Sequence, residues 1–325
     1  MEIEIHSQLR ESKKNIWHSF LHQAGLTADE SVEQTVLIWD GNELIATGSR
    51  QGNLLKCIAV DPARQGEGLL ASVLTALRQE AFKAGCRHLF VYTKPINAPL
   101  FTPLFFYPIA QTADVLLMED RQNGVRDFIA KLSKVPTANA GAAVMNCNPF
   151  TLGHQYLIET AARECEHLYI FILSEENGTF TAADRLEMAK QGTAHIPNVT
   201  VLPTGPYLIS GATFPTYFLK NREQATTVHC QLDIEIFARY FVPAFGIKQR
   251  FVGTEPLSTM TNQYNQTLLK MLPPRGVSVC EIPRITVDGT PISASAVRVA
   301  YEQKDWQALA DLVPVTTLNY LKNLT

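Results

Sequence analysis

The stretch Ala142-Ala143-Val144-Met145-Asn146-Cys147-Asn148-Pro149-Phe150-Thr151-Leu152-Gly153-His154 decides how the rest of this 325-residue chain is read. Residues 142–145 form an apolar run of strand length. Pro149 and Gly153 then break the run and mark a loop. Leu157, Ile158, Ala161, Ala162 and Cys165 fall on one helix face after it. A strand, a tight loop and a helix start make an anion site, because the first-turn N–H groups and the positive end of the helix dipole are free there. Gly153 lets a phosphate approach the backbone without a Cβ in the way. Thr151 and His154 add a hydroxyl and an imidazole about one turn apart. These groups suit the α and β phosphates of a nucleotide and the charge that develops on a departing bridging oxygen.

Working outward, buried-strand runs recur at 168–173, 199–202, 249–252 and 277–282, with a helical pattern at 181–191 between two of them. Strands alternating with helices predict a parallel, doubly wound sheet, whose ligand site lies beyond the carboxyl ends of the strands. The first third alternates as well. Leu54–Val60 reads as a strand and residues 61–68 as a Pro- and Gly-punctuated turn. Leu70, Val73, Leu74, Leu77 and Ala81 then share a helix face that ends at Gly85, and 88–92 and 115–118 read as further strands. Residues 119–139 turn polar around a short amphipathic helix. They read as a linker between one domain over 1–135 and a second over 136–325, in keeping with ~150 residues per domain.

Near the other end of the second domain stands Ile292-Ser293-Ala294-Ser295-Ala296-Val297-Arg298. Serines at a helix start with an arginine one turn later supply N–H, hydroxyl and guanidinium donors together. Asp184 and Arg185, just inside the helix that starts near Thr181, read either as a capping pair or as a functional arginine at the rim of the site.

Composition excludes several classes. Twenty-eight Lys+Arg against 31 Asp+Glu give a net charge of −3, so no general attraction to nucleic acid or anionic membrane is expected. The longest apolar run, residues 168–173, falls far below the ~18 needed to span a bilayer. The acidic start Met1-Glu2-Ile3-Glu4 lacks a leader's basic-then-apolar layout, so a cytoplasmic location is expected. Six dispersed cysteines without a CxxC pair predict neither a zinc knuckle nor a disulfide framework. His18 and His22 lie four apart, but Ser19 stands where a zinc protease carries its glutamate. No G-x-S-x-G elbow or P-loop pattern occurs.

The two segments resemble the paired signatures of the nucleotidylyltransferase superfamily, with Thr151 in the first, His-or-Thr position. More closely, nearly the whole chain resembles the citrate lyase ligase family. Phe214-Pro215-Thr216-Tyr217-Phe218-Leu219-Lys220, Leu232-Asp233 with Ile236-Phe237, and Arg250-Phe251-Val252-Gly253-Thr254-Glu255-Pro256 carry that likeness beside both signatures. The resemblance implies an α/β chain with a GNAT-like acetyltransferase-fold first domain and a Rossmann-like, nucleotidylyltransferase-type second domain. It implies a ligase that uses ATP and Mg²⁺ to acetylate the thiol of citrate lyase's acyl-carrier subunit through acetyl adenylate, releasing AMP and diphosphate. The implied partners are acetate and the carrier with its phosphoribosyl-dephospho-CoA arm.

On the same resemblance, Thr151, His154 and Arg298 are the expected catalytic residues. Asn146, Cys147, Gly153, His154, Arg185, Gly253, Glu255, Ser293, Ser295 and Arg298 are the expected nucleotide contacts. No dedicated protein metal cage is expected, and residues 214–220 are assigned to the acetate or carrier side. Gln65-Gly66-Glu67-Gly68-Leu69-Leu70 is similar to the acetyltransferase pyrophosphate loop, but Leu70 stands where that pattern carries Gly or Ala. Its side chain crowds the loop's N–H groups, so acetyl-CoA binding and a retained fold that serves packing or docking both stay open. Two other readings remain: a nucleotidylyltransferase with a phosphorylated small-molecule acceptor, and a non-enzymatic scaffold that docks on citrate lyase.

Overall fold

A computed structural model describes every residue except 177, 209–216, 218–221, 256–257, 288–289 and 325. The chain separates into two compact units, Met1–Gly124 with Pro215–Val228, and Val125–Phe214 with His229–Thr325.

The first unit runs β1 (Glu2–His6), α1 (Glu11–Gln23), β2 (Gln34–Asp40), β3 (Glu43–Gln51), β4 (Leu54–Val60), α2 (Leu69–Lys83), β5 (Phe90–Thr93), α3 (Ala98–Phe101), β6 (Tyr107–Gln111) and β7 (Leu116–Glu119). Its seven strands lie in the order β1-β2-β3-β4-β5-β7-β6, the mixed α/β layout expected of this domain. Val73, Leu74 and Leu77 of α2 pack with Val36, Ile38 and Leu55 of the sheet. A Cβ on Gly48 in β3 would sit 2.5 Å from Val73 Cγ1, so only glycine lets α2 lie this close. β4 and β5 run parallel but pair only at Leu54↔Phe90 and Leu55↔Val91. Beyond that pairing a cavity of about 680 Å³ is lined by Ile58, Gly66, Gly68, Leu70, Tyr92 and Tyr217, among others.

Tyr217 explains why part of a later segment belongs to this unit, in place of a single division near residue 135. Its hydroxyl donates to Tyr92 O at 3.0 Å, and Thr27 N–H donates to Tyr217 O at 2.8 Å. Of the expected acetate-side or carrier-side segment 214–220, only Tyr217 lies within the described residues.

The rest of the chain runs α4 (Gly124–Ala130), β8 (Ala140–Met145), α5 (Leu152–Arg163), β9 (His167–Ile172), α6 (Ala182–Thr193), β10 (Val199–Pro203), α7 (Arg222–Ile236), a π-helical turn at Phe237–Phe241 and α8 (Val242–Phe245). It continues through β11 (Ile247–Gly253), α9 (Thr259–Met271), β12 (Ser278–Ile282), the short pair β13 (Thr286–Val287) and β14 (Thr290–Pro291), α10 (Ala294–Glu302), α11 (Trp306–Ala310) and α12 (Val315–Asn323). Five strands form a sheet in the order β10-β9-β8-β11-β12, parallel throughout. This is the Rossmann-like arrangement. The order runs outward from β8 through β9 to β10 on one side and from β11 to β12 on the other, so the topological switch lies between β8 and β11. Small residues in β8 permit close packing there: a Cβ on Gly141 would fall 2.7 Å from the Phe251 ring and 2.8 Å from Cys165 S. Ile158, Ala161, Met188 and Val297 bury the matching helix faces against one side of the sheet.

Candidate nucleotide site

The loop from Asn146 to Phe150 leaves the carboxyl end of β8 at that switch point. Thr151 caps α5, with φ −119° and ψ 167°. Its hydroxyl accepts from His154 N–H at 3.3 Å, and Thr151 N–H donates to His154 Nδ1 at 3.0 Å. The reciprocal pair fixes the imidazole. Nδ1 accepts, so the neutral ring carries its proton on Nε2. Burial, and then the nearby Arg284 guanidinium, push the His154 pKa down to about 4. His154 is therefore a neutral donor at physiological pH, with its ring stacked on buried Phe150 at 5.8 Å.

Gly153 sits beside this ring without a structural need for glycine. Its φ is not positive, and an added Cβ would meet Thr151 Oγ1 at 3.5 Å and Ile292 at 3.7 Å, which are ordinary contacts. Glycine in a helix costs about 1 kcal/mol relative to alanine. Packing and backbone would both accept a side chain at 153.

The same contact shows what stands opposite. Ile292 leads into Ser293, which caps α10 by accepting from Ala296 N–H at 3.1 Å. Arg298, on that helix, donates from Nη1 to Asn148 O at 2.7 Å and from Nη2 to Ser295 Oγ at 2.9 Å. The starts of α5 and α10, about 140 residues apart in sequence, thus border one loop. At the start of α5 the N–H groups of Leu152, His154 and Gln155 already have acceptors in Leu312 O, Thr151 Oγ1 and Thr151 O, while that of Gly153 has none among the described residues. Three hydroxyls, an imidazole and a guanidinium stand around it.

Arg185 lies beneath the loop, only 1% exposed. Its Nη1 donates to Asn146 O at 3.0 Å and to Asn146 Oδ1 at 2.5 Å, and its Nη2 donates to Glu175 O. Asp184 forms the capping box with Thr181, so the two neighbours do different work. Cys147 is buried with φ +51°, and burial pushes its thiol well above the ordinary range. It shapes the loop as a protonated, inert side chain.

Gly253 ends β11, where its carbonyl accepts from Asn265 Nδ2 at 2.9 Å. Glu255 accepts from Ser258 N–H at 3.1 Å and pairs with Arg284. Arg284 was not signalled by the sequence. It follows β12, and its nearness to Glu255 and His154 arises from strand order, which no local spacing records. A basic residue two positions past the end of the edge strand β12 is its only local sign. Among the described residues, no group of three His, Cys, Asp or Glu side chains is placed to hold a metal ion. No described helix is long and apolar enough to cross a membrane.

With this geometry in view, comparisons with known proteins are specific. Residues 140–321 match the citrate lyase ligase C-terminal domain. A Klebsiella pneumoniae protein named [citrate [pro-3S]-lyase] ligase is 42% identical over 312 residues, covering 94% of this chain and 91% of that one. An Escherichia coli (strain K12) protein of the same name is 40% identical, covering 94% and 89%. Among solved structures, Escherichia coli ElaA is similar at 12% identity with a TM-score of 0.34, covering 37% of this chain and 99% of that one.

Proposed function

The chain belongs to the [citrate [pro-3S]-lyase] ligase family, and on that premise we propose that it activates citrate lyase by ATP-dependent acetylation of the thiol carried by the lyase's acyl-carrier subunit. Acetate attacks the α-phosphorus of ATP through a carboxylate oxygen. The bond from that phosphorus to the α–β bridging oxygen breaks, and its electron pair leaves with diphosphate. The carrier thiol then attacks the carbonyl carbon of acetyl adenylate, AMP departs with the former carboxylate oxygen, and the thiol proton passes to solvent.

One observation supports this reading: the starts of α5 and α10 meet at the loop after β8, where Gly153 faces Ile292 and Arg298 binds Asn148 O, with neutral His154 in the first turn of α5. Two anions repel unless charge is neutralised while they are held in line. Thr151, His154 and the Gly153 N–H serve the phosphates near the scissile bridge. Ser293, Ser295 and Arg298 hold the β and γ phosphates that leave together. A neutral imidazole donating from Nε2 strengthens its hydrogen bond as the bridge oxygen gains charge, without first losing a proton. Arg185 keeps Asn146 and the adjoining loop in place for the nucleotide. Mg²⁺ would be held by the ATP phosphates and water, not by a protein cage, and would supply charge neutralisation there.

The test incubates the protein with ATP, Mg²⁺, labelled acetate and deacetylated citrate lyase. Equal yields of AMP and of label in a hydroxylamine-sensitive carrier thioester are expected. ADP formation, or diphosphate release that requires a phosphomonoester and ignores acetate, would overturn the assignment.

A further inference from the structure

Arg284 is outside both sequence signatures, yet its guanidinium is held as firmly as any at this edge of the sheet. Its backbone N–H donates to Thr254 Oγ1 at 3.2 Å and its Nε to Thr254 O at 2.8 Å, while Nη2 pairs with Glu255. Glu255 is itself buried, its side chain 5% exposed, while that of Arg284 is 31% exposed. Nε and Nη2 lie on the same side of a guanidinium, so both anchoring bonds use one edge of the fork. The outer edge, with Nη1 and the second Nη2 proton, has no acceptor among the described residues. Two parallel N–H groups at fixed spacing match the two oxygens of a carboxylate.

The location narrows the ligand. Thr254 follows β11 and accepts the fork from a residue just past β12, and Thr254 N–H is tied to Ile282 O at 2.9 Å. Ile285 O accepts from Ile292 N–H at 3.3 Å, and Ile292 is the residue that abuts Gly153. Arg284 is thereby placed next to the Gly153–His154 turn but on the β11–β12 side of it. The phosphate-binding groups gather on the β8 side, where Arg298 is tied to Asn148. The outer edge of Arg284 is thus on the other side of the Gly153–His154 turn from the Arg298–Asn148 contact.

We propose that Arg284, held by Thr254 and Glu255, is the clamp that binds the carboxylate of the acyl substrate and aims it at the α-phosphate. The inference rests on the acyl-adenylate reading above. Arg284 binds one carboxylate oxygen, or both in the ground state, and the oxygen nearer phosphorus forms the new O–P bond. Glu255, which the family resemblance marks as a nucleotide contact, has its carboxylate engaged by Ser258 N–H and Arg284 instead. It positions the fork and does not touch the substrate or the nucleotide.

Acetate-dependent exchange of labelled diphosphate into ATP, measured beside MgATP affinity by calorimetry, tests the assignment. Arg284→Lys keeps the charge beside Glu255 but loses the fork. It is expected to raise the KM for acetate by about tenfold or more while MgATP affinity changes less than about twofold, the pattern of a lost bidentate contact. The paired variant Arg284→Gln/Glu255→Gln removes both charges, so no buried carboxylate is left alone, and should show the same selective loss. An unchanged acetate KM in either folded variant overturns the proposal. So does weakened MgATP binding with an unaltered acetate KM, which assigns the fork to the nucleotide. Absence of acetate-dependent exchange in the unsubstituted protein overturns the acyl-adenylate reading itself, an outcome distinct from the other two.

Discussion

Gly153 weakens the first turn of α5 without any structural gain in the chain itself. Gly153→Ala should therefore leave the unfolding midpoint unchanged or raise it, by up to about 1 kcal/mol of stability, while reducing MgATP affinity about tenfold or more through a Cβ at the phosphate. Calorimetric affinity together with a thermal melt checks both parts. His154→Ala should cut acetate-dependent diphosphate exchange by ~10²-fold or more, as loss of one preorganised donor does, with the fold intact by circular dichroism. The imidazole also leaves a signature in stability. Its folded pKa of about 4 lies below the ordinary value, so below pH ~6.5 the unfolded chain takes up a proton that the folded one refuses. The stability this gives is fully present above that point and falls progressively toward pH 4. Denaturant midpoints across this range should decline more steeply for the native protein than for His154→Gln. Thr151, Gly153 and His154 were legible because their whole meaning is local, three residues at one helix start. Arg284 was not, since its partners Thr254 and Glu255 stand about 30 residues away and only the pairing of β11 with β12 unites them.

At the level of elements, caps decide whether side chains are delivered in register. Ser293 is the N-cap of α10, and Ser293→Ala should lower stability by about 1 kcal/mol and weaken MgATP binding, because Ser295 and Arg298 are carried by the first and second turns of the helix that this cap starts. A melt shift with no loss of affinity would make the serine a cap alone. Much of the second unit's layout was readable from runs of apolar residues: 168–173 against β9 at His167–Ile172, 249–252 inside β11, and a helix from Thr181 that proves to be the N-cap of α6. Doubly buried parallel strands write continuous apolar runs, so they announce themselves. The first unit's outer strands do not. In β1 the alternation of Glu2, Ile3, Glu4 and Ile5 suggests a half-buried strand, but Ile3 and Ile5 remain 50% and 41% exposed. Its place is set by pairing with β2, not by burial of an apolar face.

Across the whole molecule, topology assembles what spacing cannot. The switch between β8 and β11 places the carboxyl ends of strands from distant parts of the chain along one edge, so segments near 150, 255, 284 and 293 meet there. A division of the chain into two α/β parts followed from counting alternating elements. The return of Tyr217 to the first unit did not, because one phenol reaching Tyr92 O has no sequence pattern. Tyr217→Phe removes that buried donor and should destabilise the first unit by about 1 kcal/mol, read as a lower denaturant midpoint. The account depends most on a shared triphosphate at the starts of α5 and α10, and a double-mutant cycle on MgATP affinity with His154→Ala, Arg298→Ala and their combination addresses it directly. Each single change should weaken binding, and the combined loss should differ from the sum of the two by at least ~0.5 kcal/mol, the mark of groups that act on one ligand. Unaltered affinity in either single variant, or strict additivity between them, would contradict it.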